Sequence, residues 1–218
     1  MNDTENNALS QRGTGSDRMS TTSPFHDLLA RIARANPWTW IAVLYVVQAL
    51  GAVLVSVKFR IALREVAPAV FLLCVGAAHA SICSRRSRFA DVGRLHYWLP
   101  AGIYAAFIYV LSHRSFSGVV MSFSSNSFHP VEYATLGIFL CWTFYPILSS
   151  RGTFHFFLRI LLIGLIIGIG DEIHQAFVPG RAPSFVDLVL DTIGLCVGCG
   201  VFFAGIHVHG SLKKFVRT

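Results

Sequence analysis

Six stretches of nearly unbroken apolar sequence, at 38–57, 66–82, 95–111, 131–148, 156–173 and 185–206, constrain this chain more than any other feature. Each is about 15–22 residues long, the length a helix needs to cross a bilayer core. Lipid offers no partner to a free amide, so a segment of this kind must bond its own backbone as a helix. The expected fold class is all-α: a polytopic membrane helix bundle with about six transmembrane helices and a disordered N-terminal tail. The second and third runs are short, and His79 lies inside the second. A re-entrant segment is the alternative to a span there. Composition agrees: 54% of residues are hydrophobic and 13% charged, against about a quarter charged in soluble domains.

Residues 1–36 differ in kind, being rich in Asn, Ser, Thr, Gly and charge. That composition cannot bury a core and predicts a disordered tail. It is no secretory signal, because the first apolar block begins too late and is too long. Leu28, Leu29, Ile32 and Ala33 could instead form a short interfacial helix. The net charge of +7 invites a nucleic-acid reading, but the bases cluster at span boundaries without interleaved exposed aromatics, so no nucleic-acid partner is expected. Six spans put both termini on one side, together with the loops after spans two and four. The Lys and Arg residues there outnumber Lys58, Arg60, Arg64, Arg114 and Arg181 on the other side. The positive-inside rule then places both termini in the cytoplasm. The basic cluster Lys58, Arg60 and Arg64 runs against that assignment.

Polar residues within or beside the apolar runs are few and segregated. Ser112 and His113 end span three; His129 and Glu132 begin span four; Asp171, Glu172, His174 and Gln175 end span five; Ser184, Asp187 and Asp191 open span six. Alternation of spans brings all of these to one membrane face. A charge at a helix centre costs about 2.5–3.5 kcal/mol on insertion scales, so such a cluster reads as a functional site. Asp171, His174 and Gln175 share a helical face by their i, i+3, i+4 spacing, and Ser184, Asp187 and Asp191 form a similar stripe. Between them Pro179-Gly180 predicts a tight turn: a fixed φ, then a residue free to take positive φ. Asp171 and Asp191 lie equally far before and after Arg181, at matched depth. Two facing carboxylates in a low dielectric cannot both ionise cheaply. Either one holds a proton, or a cation intervenes: Arg181, a protonated His174 or His129, or a bound metal. The competing reading is that Asp171 and Asp191 are interhelical hydrogen-bonding glue.

Other features read as packing. Cys196-x-x-Cys199 has redox or zinc spacing, but it lies in the small-residue run 194–200. Gly164-x-x-x-Gly168 and Gly194-x-x-x-Gly198 predict close helix contact, within the bundle or in a homo-oligomer. His79 stands alone and reads as a satisfied core residue. No metal-ligand motif, phosphate loop or nucleotide fingerprint is evident, and nothing identifies a cofactor.

The segment from Gly170 to Gly194, with its DE-x-HQ end, PGR turn and S-x-x-D helix start, resembles the signature of the VanZ-like family of bacterial membrane proteins. Residues 109–115 resemble the family's helix end before a polar loop, and His129-Pro-Val-Glu132-Tyr133-Ala-Thr-Leu136-Gly137 resembles its H-x-x-E-Y-x-x-L-G segment. The similarity covers about residues 97–206. Asp191 stands where the family usually has Asn, adding a charge, and Ser125-Asn126 where some members have Asp-Lys. The resemblance implies a four-helix core over 95–207, two further transmembrane helices over 37–94, and basic cytoplasmic residues at 208–218. It also implies a bacterial cytoplasmic membrane location, a cell-envelope role and tolerance of glycopeptides such as teicoplanin.

The leading expectation is an extracytoplasmic site that binds or modifies a lipid-linked or cell-wall precursor. As an enzyme, it would use Asp171, Glu172, His174 and Asp191 as catalytic groups, with His174 or His129 as general base. Ser112, His129, Glu132, Gln175, Arg181, Ser184 and Asp187 would bind substrate, Arg181 holding a phosphate or carboxylate. A proton or solute transporter is the second expectation, and a non-catalytic assembly factor the third.

Overall fold

The computed structural model describes residues 35–87, 92–114, 128–148 and 152–215. Among these it contains six helices and no strand: α1 (Pro37–Lys58), α2 (Leu63–Arg86), α3 (Arg94–Ser112), α4 (His129–Leu148), α5 (Thr153–Gln175) and α6 (Phe185–Phe215). All six are long and apolar enough to cross a membrane. The second run is a continuous helix of 24 residues, so the re-entrant alternative falls away: a Pro near its start and a His near its end are both absorbed without a break. The tail expected before residue 35 lies outside the described residues. The last helix continues to Phe215, well past the apolar run.

Local sequence explains where the helices begin and turn. Asn36 caps α1, its Oδ1 accepting from the Trp38 amide at 3.0 Å, with Pro37 at the first helical position. Past Lys58 the Arg60 amide donates to Val57 O and the Ile61 amide to Ser56 O, the paired bonds that close a helix over a left-handed residue. That residue is Arg60, at φ 53, where glycine is usual. In the α5–α6 turn, Gly180 takes φ 82, and the Arg181 amide returns to Val178 O at 3.0 Å. The Pro179-Gly180 reading is borne out at the backbone.

Contacts fix which helix ends lie together. Asn36 Nδ2 donates to Ser84 O and Ser87 Oγ, and Thr39 Oγ1 bonds Ser84 Oγ, joining the start of α1 to the end of α2. At the opposite end, Arg114 after α3 reaches Glu65 at the start of α2, and Arg181 reaches the Arg114 carbonyl. The core between is aromatic and aliphatic. Tyr45, Tyr104 and Phe139 pack as one group from α1, α3 and α4, and the Tyr45 hydroxyl donates to Pro100 O at 2.6 Å.

Helices α4 and α6 approach most closely, backbone to backbone. A Cβ built on Gly198 would lie 2.0 Å from Ala134 O, and one on Gly194 would lie 2.4 Å from Pro130 O. The Gly194-x-x-x-Gly198 face therefore serves packing within the bundle. Cys199 is fully buried there, its Sγ 3.4 Å from that of Cys141, and both are free thiols.

Candidate functional site

The close α4–α6 seam brings His129, at the first turn of α4, against Asp191, two turns inside α6. His129 Nδ1 lies 3.0 Å from Asp191 Oδ1, the two side chains 7% and 1% exposed. On the facing helix α5, Asp171 and Glu172 are buried. One ligand atom each from His129, Asp171 and Glu172 lie within 4.8 Å of one another. His129 is thus the group that stands between the carboxylates of α5 and that of α6. Of the side chains the sequence offered as cations between the two aspartates, His129 is the one in contact with Asp191.

Asp171 Oδ2 accepts from Ser112 Oγ at 2.9 Å and from Gln175 Nε2 at 2.9 Å. These bonds draw the end of α3 to the end of α5. Glu172 Oε2 accepts the Ser184 amide at 2.6 Å, and Ser184 Oγ in turn accepts the Asp187 amide at 3.3 Å. Ser184 is therefore the N-cap of α6, with Glu172 fixing where that helix starts. Glu132 is half-buried, with His129, Asp171, Asp191 and Arg181 acting on it electrostatically. Three buried carboxylate oxygens, Asp171 Oδ1, Asp187 Oδ1 and Asp191 Oδ2, have no hydrogen-bond partner among the described residues.

Five carboxyl groups (Glu132, Asp171, Glu172, Asp187, Asp191) thus surround one imidazole, with one guanidinium nearby. Burying that excess acid away from water requires shared protons, a cation or hydrogen-bond donors from a substrate. The His129, Asp171 and Glu172 trio could hold a divalent cation, since imidazole and carboxylate oxygen suit zinc and related ions.

Arg181 and His174 lie off this centre. Arg181 donates through Nε and Nη2 to the Arg114 carbonyl at 3.3 and 3.0 Å, and it lines a cavity beside the cluster. His174 turns away from Asp171 despite the shared face predicted from spacing. It stacks on Tyr109 at 4.0 Å between centroids and meets His113 Nδ1 at 3.3 Å. An i, i+3 pair diverges by about 60° around a helix at 3.6 residues per turn, enough to place one member in the core and the other at its edge.

The cavity beside the cluster has a volume of about 290 Å³. Its walls are apolar, from Gly51, Ala52 and Val55 of α1, Val66 of α2, and Phe107 and Leu111 of α3. Its polar end is formed by Ser112, His129, Glu132 and Arg181. Gln48 also lines it and donates to Thr135 Oγ1 at 2.7 Å. Sequence reasoning missed this contribution of α1. A glutamine alone in an otherwise apolar span was the signal available. It also missed Glu65, whose carboxylate bonds Arg114 Nη1 at 3.3 Å, and the Tyr109–His113–His174 stack.

Neither the curated proteins nor the solved structures include a significant match to this chain. A family model described as VanZ/LLP1 matches residues 6–206. That range runs through all of the first five helices and most of the sixth. Six membrane-length helices and a match over most of the sequence lead to one assignment: the chain is a multi-pass membrane protein that belongs to the VanZ/LLP1 family.

Proposed function

We propose that this protein binds a single-chain or lipid-linked amphiphile at the extracytoplasmic face of a bacterial cytoplasmic membrane, and acts on its polar headgroup by acid–base chemistry. The observation that carries the reading is the cavity, apolar along α1, α2 and α3 and ending on Ser112, His129, Glu132 and Arg181. An acyl or prenyl chain suits the walls. An anionic headgroup suits Arg181, whose guanidinium is a planar donor to phosphate or carboxylate. His129 would accept or deliver a proton, and Asp191 would hold its ring and balance its charge, the division of labour seen wherever a carboxylate orients a catalytic imidazole. Asp171 would position Ser112 and Gln175 at the edge of the headgroup.

The same site explains the basic residues that run against the topology rule. Lys58, Arg60 and Arg64 lie at the cavity end of α1 and α2, where they would attract an anionic headgroup. With both termini cytoplasmic, this face is extracytoplasmic, which fits a role in the cell envelope and in glycopeptide tolerance. A transporter reading is less well supported. Below the site, Leu136, Phe139 and Leu140 of α4, Ile160 of α5 and Leu195 of α6 join one apolar core cluster, and the five carboxyl groups of the site have no counterpart among those core residues.

The test compares lipid and cell-wall precursor pools in cells with the protein, without it, and with His129→Ala. A single amphiphile class that changes on deletion and is not restored by the variant supports the proposal. Unchanged pools together with solute or proton flux in proteoliposomes would replace it with the transporter.

A further inference from the structure

A second side-chain cluster lies at the other end of the bundle and takes no part in the site described above. His79, on α2, does not stand alone. Its Nε2 lies 3.1 Å from His96 Nδ1 on α3 and 3.5 Å from Cys83 Sγ, one turn further along α2. The three donor atoms lie within 4.8 Å of one another. Cys83 is 2% exposed, and both histidines are half-buried. Trp38 of α1 sets its ring edge-on to His79 at 5.9 Å, closing one side. His79 Nδ1 is buried without a partner among the described residues, which leaves Nε2 as the nitrogen of that ring with work to do.

We infer that His79, Cys83 and His96 form a three-ligand site for a thiophilic transition-metal ion, with Zn2+ the best fit among common ones. Bond lengths of about 2.05 Å to nitrogen and about 2.3 Å to sulfur give tetrahedral edges of about 3.3 Å (N to N) and about 3.6 Å (N to S). The observed 3.1 and 3.5 Å match both edges from His79, and the Cys83–His96 pair lies within 4.8 Å. Two imidazoles and a thiolate are the ligand set that zinc and copper favour over magnesium or calcium. The spacing has a simple origin: His79 and Cys83 are i and i+4 on one helix face, and the antiparallel neighbour supplies His96 from its first turn. The fourth position would go to solvent or a small anion, because the half-buried histidines leave one side of the site open. A bound ion would staple α2 to α3 at the end of the bundle remote from Asp171 and Asp191.

The test uses full-length protein in detergent micelles and Co2+ as a spectroscopic stand-in for Zn2+. The expected result is one Co2+ per chain bound with sulfur-to-cobalt charge-transfer absorption in the near ultraviolet, which Zn2+ abolishes by displacement; any Co2+ held by the His129–Asp171–Glu172 trio would lack that absorption. Cys83→Ser should eliminate that absorption, whereas Cys199→Ser should leave it intact. His96→Gln, near the helix start and half-exposed, should weaken Co2+ binding at least tenfold and covers the case in which Cys83→Ser does not fold. Absence of stoichiometric Co2+ binding would overturn the inference. So would a cobalt spectrum without charge transfer that survives Cys83→Ser and disappears with Glu172→Gln, since that would put the metal among the carboxylates.

Discussion

Replacing Gly198 by alanine would set a methyl carbon 2.0 Å from the backbone oxygen of Ala134. An ordinary contact needs about 3.4 Å, so α4 and α6 would have to part by about 1.4 Å (3.4 − 2.0 = 1.4) at that level. The obstacle is a carbonyl within a helix and cannot rotate aside. The cost therefore sits near the top of the range for overpacking, about 3 kcal/mol. Gly194, one turn nearer the site, sits equally close to α4, where an added Cβ would lie 2.4 Å from Pro130 O, so the close seam extends towards His129 and Asp191. Asp191 is seven residues from Gly198, about 10 Å along the helix. Even about 1 Å of the separation carried that far would stretch the 3.0 Å His129–Asp191 contact beyond hydrogen-bonding range. Gly198→Ala should consequently lower the melting transition followed by tryptophan fluorescence in detergent, and also abolish the activity that depends on His129. Gly200→Ala, where nothing lies within 4 Å, supplies the control: the better helix former should stabilise by about 0.5–1 kcal/mol. A Gly198→Ala protein that melts with or above Gly200→Ala would refute the account of the α4–α6 seam.

Other outcomes follow from the site. His129→Ala strips the buried Asp191 of its 3.0 Å partner and should destabilise by about 3–5 kcal/mol; adding Asp191→Asn should recover stability but not activity, read as melting against precursor turnover. His174→Ala, which loses its stack on Tyr109 and an exposed 3.3 Å contact with His113 Nδ1, should cost less than about 1.5 kcal/mol, with activity falling less than in His129→Ala in the same assays. Arg181→Lys should weaken uptake of an anionic amphiphile about tenfold or more, because a point charge cannot copy two-pronged contact, and should do so without altering membrane content on immunoblots. Ala182→Cys, in a background lacking the native cysteines, should react with an impermeant thiol reagent in intact cells; labelling only after the membrane is opened would invert the proposed topology.

The helices were legible in the sequence because membrane length and apolar composition leave few other solutions, and the Pro179-Gly180 turn because its φ requirement is local. The convergence of Ser112, His129, Asp171, Gln175 and Asp191 followed from alternation alone. Three things were not legible. Which histidine enters the core depends on the rotations of α4 and α5, which spacing does not specify; they put His129 of α4 inside and His174 of α5 at the edge. The partner of His79 is 17 residues away on another helix, so only helix packing shows it. The cavity wall formed by α1 rests on the same cause, since a lipid-facing valine and a cavity-facing one read alike.

The placement of Arg60 ties these strands together. A non-glycine residue at φ 53 costs about 1–2 kcal/mol relative to glycine, and nothing local requires arginine there. Its neighbour Ile61 reaches the cavity, and Lys58 and Arg64 flank the same turn. Strain retained at a cavity rim suits a side chain kept for its charge. Arg60→Gly should then raise the stability of the detergent-solubilised protein by about 1 kcal/mol while weakening binding of an anionic amphiphile from lipid vesicles. A neutral headgroup of equal chain length should bind both forms alike. Arg60→Gly that gains stability with unchanged anionic binding would assign the basic turn to the membrane surface and leave headgroup recognition to Arg181 alone.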